Sequence, residues 1–314
     1  MIAINHWKIE YGYIVLAAVI FSTMEIAGKM VATEINPMQI TFYRFFIGGL
    51  VLLPWAVKEL RARELELTKD DAMFFLQVGL LGIVVSMTFY QMAVVFAMAS
   101  TVAIVVSTNP IFIIPFAHFF LKEKVTRRTI VSLGISILGI LFILNPFHLN
   151  PDAKGIALAV LSTITFSLYS VMVKKRSVRY GSIVLTCFGF LAGSVLMLLY
   201  IFISHIPLLA ASDNEILRLL WDIPLVGGID GSNIITLIYM GVVVSGLGFL
   251  LYFLAMEKTS AATGSIVFFI KPALAPILAF IVLGEAIPAS TIVGILLITI
   301  STYIAFAGKN ATAD

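Results

Sequence analysis

Charged residues and cysteine are both scarce in this chain of 314 residues. Charged residues make up 12% of it, half the share of about 25% found in soluble domains. The single cysteine, Cys187, cannot form an intrachain disulfide, and the net charge of +3 is too small to indicate a polyanionic partner. These shortages exclude a disulfide scaffold and a nucleic-acid-binding protein.

Hydrophobic residues, in contrast, make up 61% of the chain, and the mean hydropathy is +1.07. A soluble fold of this length cannot hide that much apolar surface, because a folded surface needs polar cover. The excess must face lipid, so the composition predicts a polytopic membrane protein.

Ten apolar runs are long enough to cross the hydrocarbon core, which takes about 20 helical residues. Barrel strands are a poor alternative, because they alternate apolar and polar residues over about 10 positions. We therefore predict an all-α membrane protein with ten transmembrane helices at 11–31, 37–57, 73–95, 99–121, 129–147, 155–174, 181–204, 232–256, 261–283 and 288–307.

One predicted connection, 205–231, is much longer than the others. Residues 212–215 in it are typical of a helix cap, and residues 216–221 form a short amphipathic stretch. We expect a short helix there that lies on the membrane surface.

Lysine and arginine are distributed unevenly between the predicted loops. If the N-terminus is inside, fifteen of the twenty basic residues lie on the cytoplasmic side, only Lys154 and Arg218 lie outside, and three lie within apolar runs. Cytoplasmic loops are enriched in these residues, so both termini are predicted to be cytoplasmic. The short N-terminal segment does not resemble a cleaved signal peptide.

The sequence also matches itself. At a shift of 162 residues the third to fifth spans fall on the eighth to tenth, and at a shift of 145 the first two fall on the sixth and seventh. The identical pairs include Tyr90/Tyr252, Pro110/Pro272, Glu123/Glu285, Phe21/Phe166 and Lys29/Lys174. Residues 1–147 and 148–314 are therefore predicted to be two five-helix repeats, the second carrying the external loop 205–231.

Because each repeat has an odd number of spans, the second enters the membrane upside down. The charges agree, since the turn at 97–100 has no basic residue and its counterpart has Lys258. Inverted repeats are typical of secondary transporters, whose halves rock about a central site. The repeat therefore predicts transport by alternating access.

Two motifs add a family resemblance. Leu121-Lys122-Glu123 and Leu283-Gly284-Glu285 close the fourth and ninth spans, and Asn36-Pro37 followed by Tyr43-Arg44-Phe45 opens the second. With these motifs and ten spans in two repeats, the chain resembles the EamA-type branch of the drug/metabolite transporter superfamily over about residues 11–307. The resemblance implies a multi-pass carrier of a prokaryotic inner membrane, with a central cavity between its halves. Members of the family export amino acids, other metabolites and drugs.

Lys271 is the main candidate for substrate binding. It lies about ten residues into the ninth span, roughly 15 Å deep, and the repeat places Asn109 at the same depth. A charge there is costly, so Lys271 either meets a substrate carboxylate or a mobile proton, or is a structural cation paired with a glutamate or with carbonyls. Tyr90 and Tyr252 are expected to line the same cavity with hydroxyls and aromatic surface.

Helix distortion is expected in the fourth and ninth spans. Proline removes a backbone donor, so Pro110, Pro272 and Pro276 are candidate hinges. Glu123 and Glu285, at the ends of these spans, are predicted to bond backbone donors across the following turn.

A second group of charges lies nearer the predicted outer face. Glu25 and Arg44 lie at similar depth on adjacent spans, and Lys29 follows Glu25 by one turn. We expect a Glu25–Arg44 salt bridge with Lys29 beside it. Two interpretations stay open: an ion-pair cluster that fixes helix packing, with Lys29 extending outward, or a coupling carboxylate at Glu25 that is protonated in one state.

Other classes of protein fit the sequence less well. No predicted span contains the aspartates of an intramembrane protease, and no H-E-x-x-H or G-x-x-x-x-G-K-[ST] motif is present. We therefore predict no enzyme, no metal, no cofactor and no ATP-driven pump. A buried lysine could hold retinal, but ten inverted spans argue against a photoreceptor, and no filter sequence of a channel is visible.

The sequence thus predicts a secondary transporter that exports a small carboxylate-bearing metabolite, such as an amino acid. The alternative is a proton-coupled multidrug exporter that takes cationic drugs and uses Glu25. Protons are a candidate coupling ion, and a monomer suffices because ten spans form a complete two-fold unit.

Overall fold

The computed structural model describes residues 3–144, 153–206 and 218–307, and this part of the chain is almost entirely helical. The α-helices are α1 (Ala3–Ser22), α2 (Met24–Val31), α3 (Pro37–Ala62), α4 (Lys69–Gly79), α5 (Met87–Phe96), α6 (Ala99–Val106), α7 (Asn109–Leu121), α8 (Arg127–Leu144), α9 (Ala153–Tyr180), α10 (Ser182–Ser204), α11 (Ile234–Tyr239), α12 (Phe249–Lys258), α13 (Ala261–Gly264), α14 (Val267–Leu283) and α15 (Ala289–Ala307). Two π-helical segments, Leu80–Ser86 and Met240–Gly248, join α4 to α5 and α11 to α12. The predicted surface helix at 216–221, with its cap at 212–215, begins outside the described residues. Of its described part, residues 218–219 are helical and residues 220–221 form a turn and a bend.

Eight helical stretches of the described chain are long and apolar enough to cross a membrane. They are Ile9–Val31, Pro37–Ala62, Lys69–Phe96, Ala99–Leu121, Ala153–Tyr180, Ser182–Ser204, Ile234–Lys258 and Ala261–Leu283. The predicted fifth and tenth spans correspond to α8 and α15, of 18 and 19 residues. These two pack together, and Ser136 and Ser301 share a hydrogen bond of 2.6 Å between them. The all-helical membrane class is confirmed, whereas the count of ten spans and the inverted repeat stay predictions.

Three spans are interrupted at points that place helix N-termini within the apolar layer. The first is broken at Thr23, the fourth at 107–108 and the ninth at 265–266. Backbone N–H groups after the breaks still bond nearby carbonyls, as from Ile111 to Thr108 (2.8 Å) and from Phe269 to Ile266 (2.8 Å). The start of each following helix carries a partial positive charge. Discontinuous helices of this kind build the central sites of many transporters.

The proline positions only partly match the expected hinges. Pro110 lies in the first turn of α7, where its missing N–H costs nothing, and the break precedes it. Pro272 and Pro276 lie inside α14, which continues through both. The break in that span comes earlier, before Val267.

Carboxylates cross between the two predicted repeats at both ends of the bundle. Glu285 accepts hydrogen bonds from the backbone N–H of Ala99 (2.9 Å) and of Ser100 (3.1 Å) at the start of α6. Glu123 accepts from the N–H of Ala261 (2.9 Å) and Ala262 (3.4 Å) at the start of α13. Both glutamates bond backbone donors, as predicted, but these donors lie at helix starts in the other predicted repeat and not across the turn that follows each glutamate.

Candidate functional site

Glu25 and Lys271 form an ion pair at the centre of the protein, and both side chains are fully buried. Glu25 is the second residue of α2, where the helix N-terminus favours a negative charge. Lys271 is the fifth residue of α14, near the unfavourable end for a cation. The pair therefore joins the first predicted repeat to the second through two interrupted spans.

Arg44 lies beside this pair on α3 and is also fully buried. Its Nε donates to the hydroxyl of Ser245 (3.0 Å) and its Nη2 donates to the sulfur of Met24 (3.1 Å). The guanidinium carbon is 4.8 Å from the ring centroid of Phe45 and 5.7 Å from that of Tyr90. Its Nη1 has no hydrogen-bond partner.

The expected Glu25–Arg44 salt bridge is wrong. Within the described part of the chain, the carboxylate of Glu25 pairs with Lys271 instead. Lys29 donates to the carbonyls of Val94 and Ala97, both at 2.9 Å, and so caps the end of α5. Equal depth in the membrane does not determine which way each side chain points around its helix axis. Glu25, which follows the break at Thr23, contacts Lys271 on α14.

The three buried charges do not cancel. With Glu25 and Lys271 ionised and Arg44 charged, as arginine is in proteins, one positive charge is uncompensated. Burying such a charge is costly unless an anion or several hydrogen bonds offset it. The arrangement is therefore suited to receiving an anionic group.

Several buried polar atoms of the described interior have no hydrogen-bond partner. Buried polar atoms in proteins nearly always have a hydrogen-bond partner. Here the atoms without one include Gln39 Oε1, Arg44 Nη1, the side-chain amides of Gln91 and Asn109, and the hydroxyl of Tyr169. The hydroxyl of Tyr90 faces Glu25, and that of Tyr252 faces Ser170. The interior thus offers donors and acceptors that a polar ligand could use.

A small, mostly apolar cavity lies next to the charges, with room on the order of one water molecule. The residues lining it are Phe21, Met24, Met87, Tyr90, Val106, Ser162, Thr163, Phe166, Phe249 and Phe268. Three sets of these are equivalent under the sequence shifts: Phe21 and Phe166, Met87 and Phe249, Val106 and Phe268. The cavity is thus built from matching positions of the two predicted repeats.

The predicted binding residues lie in three places around this region. Tyr90 lines the cavity. Tyr252 packs behind it, with ring centroids 5.5 Å from Phe268 and 6.0 Å from Phe166. Asn109 starts α7, and its carbonyl accepts a hydrogen bond of 3.3 Å from Ser167 on α9. Lys271, as described, is held by Glu25.

Several residues of the site were not assigned a role from the sequence. Gln91 is a polar residue in an apolar run, which is a usable signal. Ser245, Tyr169 and Ser170 are small or amphipathic residues of kinds that are common in transmembrane helices. Nothing in their spacing distinguishes them from packing residues, so only the contacts identify them.

A bundle of membrane-spanning helices around buried charges defines this chain as a multi-pass membrane transporter. The chain belongs to the EamA-like transporter family, whose family model matches residues 8–145 and 153–307. That family is part of the drug/metabolite transporter superfamily.

Similar proteins agree with the family. A protein of Clostridium kluyveri, named as an uncharacterized transporter, is 36% identical over 98% of this chain and 96% of its own length. The S-adenosylmethionine uptake transporter of Rickettsia bellii is 25% identical over 58% of this chain and 60% of its own length. A crystal structure with 18% identity covers 96% of this chain and 98% of its own with a TM-score of 0.71, which shows the same fold.

Proposed function

We propose that this protein is a secondary transporter that moves a small carboxylate-bearing metabolite, such as an amino acid, across the inner membrane by alternating access. The observation that carries this proposal is the burial of two basic side chains, Arg44 and Lys271, beside the single carboxylate of Glu25. Export is the proposed direction, with both termini in the cytoplasm.

Two features support a substrate carboxylate over another anion-binding role. Arg44 Nη1 is an unpartnered donor of a planar, permanently charged group that suits carboxylates. Lys271 is held by Glu25, and a substrate carboxylate could replace Glu25 as its partner. Exchange of one carboxylate for another would keep Lys271 neutralised while weakening the link between α2 and α14.

Several structural pairs support two inverted repeats that can exchange conformations. The family model matches the two halves separately. Each half has a π-helical segment in its third span. Lys174 donates to the carbonyl of Met256 (2.5 Å) as Lys29 does to that of Val94 (2.9 Å). Each pair is related by the sequence shifts, as expected of two copies of one fold.

The Rickettsia relative supports an amino-acid substrate. S-adenosylmethionine carries an α-carboxylate and an α-ammonium group, which is the chemistry that the buried charges favour. The name of that relative specifies uptake, whereas we propose export here, so the direction of net flux is a separate measurement.

The second candidate is a proton-coupled multidrug exporter. The full burial of the Glu25 carboxylate favours it. In this alternative Glu25 would release Lys271 on protonation and bind a cationic drug when deprotonated.

Counterflow into proteoliposomes tests the first proposal. The purified protein is assayed with amino acids, organic acids and lipophilic cations, alongside Lys271→Ala, Lys271→Gln and Arg44→Lys. Lys258→Ala, at the exposed end of α12, is the control. We expect counterflow of a carboxylate-bearing compound that falls at least tenfold in the Lys271 and Arg44 variants and not in the control. Counterflow of cations alone, or counterflow unchanged in both Lys271 variants, would overturn the proposal.

A further inference from the structure

Four phenylalanines form a ring of aromatic side chains around the small cavity. Phe21, Phe249, Phe166 and Phe268 follow one another with centroid separations of 5.1, 5.8, 6.0 and 6.2 Å, the last closing back to Phe21. Three of the four contacts are edge-to-face, with interplanar angles of 68°, 89° and 76°. We call these four residues the aromatic box.

The dimensions of the aromatic box suit a small cation. Separations near 6 Å place the middle of a four-membered ring about 4 Å from each centroid, inside the reach of about 6 Å for a cation–π contact. All four residues line the cavity, whose size is near that of one ammonium or methyl group. The faces of aromatic rings carry negative potential that attracts cations.

The second predicted repeat makes the box aromatic. Phe249 and Phe268 stand where the first repeat has Met87 and Val106, and all of them line the cavity. Met87 and Val106 show that residues without aromatic rings can fill the equivalent positions of the first predicted repeat. The second predicted repeat therefore adds two aromatic rings to an otherwise matched cavity.

The aromatic box lies next to the anion-binding charges. Met24 and Tyr90 line the same cavity, and both contact the guanidinium of Arg44. Phe268 precedes Lys271 by three residues, so the two share a face of α14. A ligand with adjacent carboxylate and cationic groups could contact Arg44 with the first and the aromatic box with the second.

We propose that the aromatic box is the subsite for the cationic group of the substrate, an ammonium or sulfonium, so that the protein selects zwitterions over simple organic acids. The proposal rests on the proposed function and adds to it the second half of the substrate. No carboxylate lines the cavity among the described residues, so the rings replace the counter-ion that a buried cation would otherwise need.

Matched pairs of ligands test the aromatic box. Competition with counterflow is measured for methionine, phenylalanine and leucine, each against the 2-hydroxy acid with the same side chain and carboxylate. We expect at least one amino acid to compete about tenfold better than its hydroxy acid, and Phe268→Leu and Phe166→Leu to reduce that preference below about threefold. Phe75→Leu, a buried ring of another cluster, should leave it unchanged.

Trifluorinated phenylalanine at position 268 keeps the ring in place and weakens the negative potential of its face. This variant provides the test if the leucine variants fail to fold. It should also reduce the preference for the amino acid. Equal competition by hydroxy acids in every pair, or a preference unchanged by the fluorinated ring, would overturn the aromatic box and leave the carboxylate proposal standing. Competition by none of the carboxylates would instead contradict the proposed function itself.

Discussion

Glu25 and Lys271 each occupy a position that would be strongly unfavourable without the other. Both are fully buried, and an ion removed from water costs several kcal/mol even after the protein relaxes. Their attraction offsets that cost only while the two side chains stay together. The pair therefore makes the stability of this arrangement depend on two residues far apart in sequence.

Removing one member should be worse than removing both. We expect Glu25→Gln to lower the free energy of unfolding by about 3–5 kcal/mol, because the charges of Lys271 and Arg44 are then buried without an anion. Glu25→Gln combined with Lys271→Met should recover most of that loss while transport stays absent. Thermal unfolding in detergent and counterflow measure the two effects. A double variant no more stable than the single one would show that the pair does not act as a unit.

Residue-level prediction from the sequence was right about which charges are buried and wrong about one of the pairings. Hydropathy shows that Glu25, Arg44 and Lys271 lie within apolar runs. Hydropathy gives the depth of each residue in the membrane. It does not give the rotation of each helix about its axis, and it does not show the break at Thr23. Arg44 therefore bonds Ser245 and Met24, although its depth matches that of Glu25.

Helices α4 and α10 approach each other through facing glycines. A Cβ added at Gly79 would lie 2.5 Å from the backbone N of Gly193, too close for any side chain without movement of a helix. Small residues allow this kind of close packing between transmembrane helices. The backbones of the third and seventh spans are therefore in direct contact, and this contact sets the distance between the two helices.

Gly79→Ala should destabilise the protein by about 1–3 kcal/mol, because the helices must separate to admit the methyl group. Gly134→Ala on α8 is the matched control, since an added Cβ there meets no atom within 4 Å. It should be neutral or slightly stabilising, by up to about 1 kcal/mol, because alanine favours helix. Thermal unfolding in detergent compares the two variants, and equal effects would contradict the close approach.

The crossed carboxylates at the two ends of the bundle are matched in detail. Glu123 and Glu285 follow Lys122 and Gly284, which both have a left-handed backbone, with φ of 58° and 68°. Each glutamate then reaches the start of a helix in the other predicted repeat. Both links are formed in this structure.

Neutralising either glutamate should favour opening at its own end. Glu285→Gln weakens charge-assisted hydrogen bonds to Ala99 and Ser100, which are stronger than neutral ones. We expect a cysteine placed at Val106, in the cavity, to react faster with a membrane-impermeant reagent from the predicted outer side. Glu123→Gln should have the opposite sidedness. Both variants opening the same side would contradict the crossed arrangement.

Hydropathy located the helical spans well and their interruptions poorly. A continuous apolar run gives no sign of the break before Val267 or of the π-helical segments, because these depend on packing with neighbouring helices. The prolines pointed to the fourth and ninth spans as distorted, but α14 accommodates Pro272 and Pro276 within continuous helix.

The two predicted repeats are similar in plan and differ where they meet at the centre. In the fourth span the break follows an eight-residue helix, whereas in the ninth it follows one of four residues. The buried charges are also unequal, since Lys271 corresponds to Asn109 under the 162-residue shift. Under the proposed arrangement of two inverted copies, this asymmetry leaves a single polar ligand site between them.

Access to the cavity from both sides of the membrane is the most direct test of this account. Val106→Cys, in a background with Cys187→Ala, places one thiol in the cavity wall, and vesicles of opposite orientation expose each side in turn to an impermeant thiol reagent. We predict labelling from both sides, slowed from both by the transported carboxylate-bearing compound. Labelling from one side alone, or labelling unaffected by that compound, would contradict alternating access around this cavity.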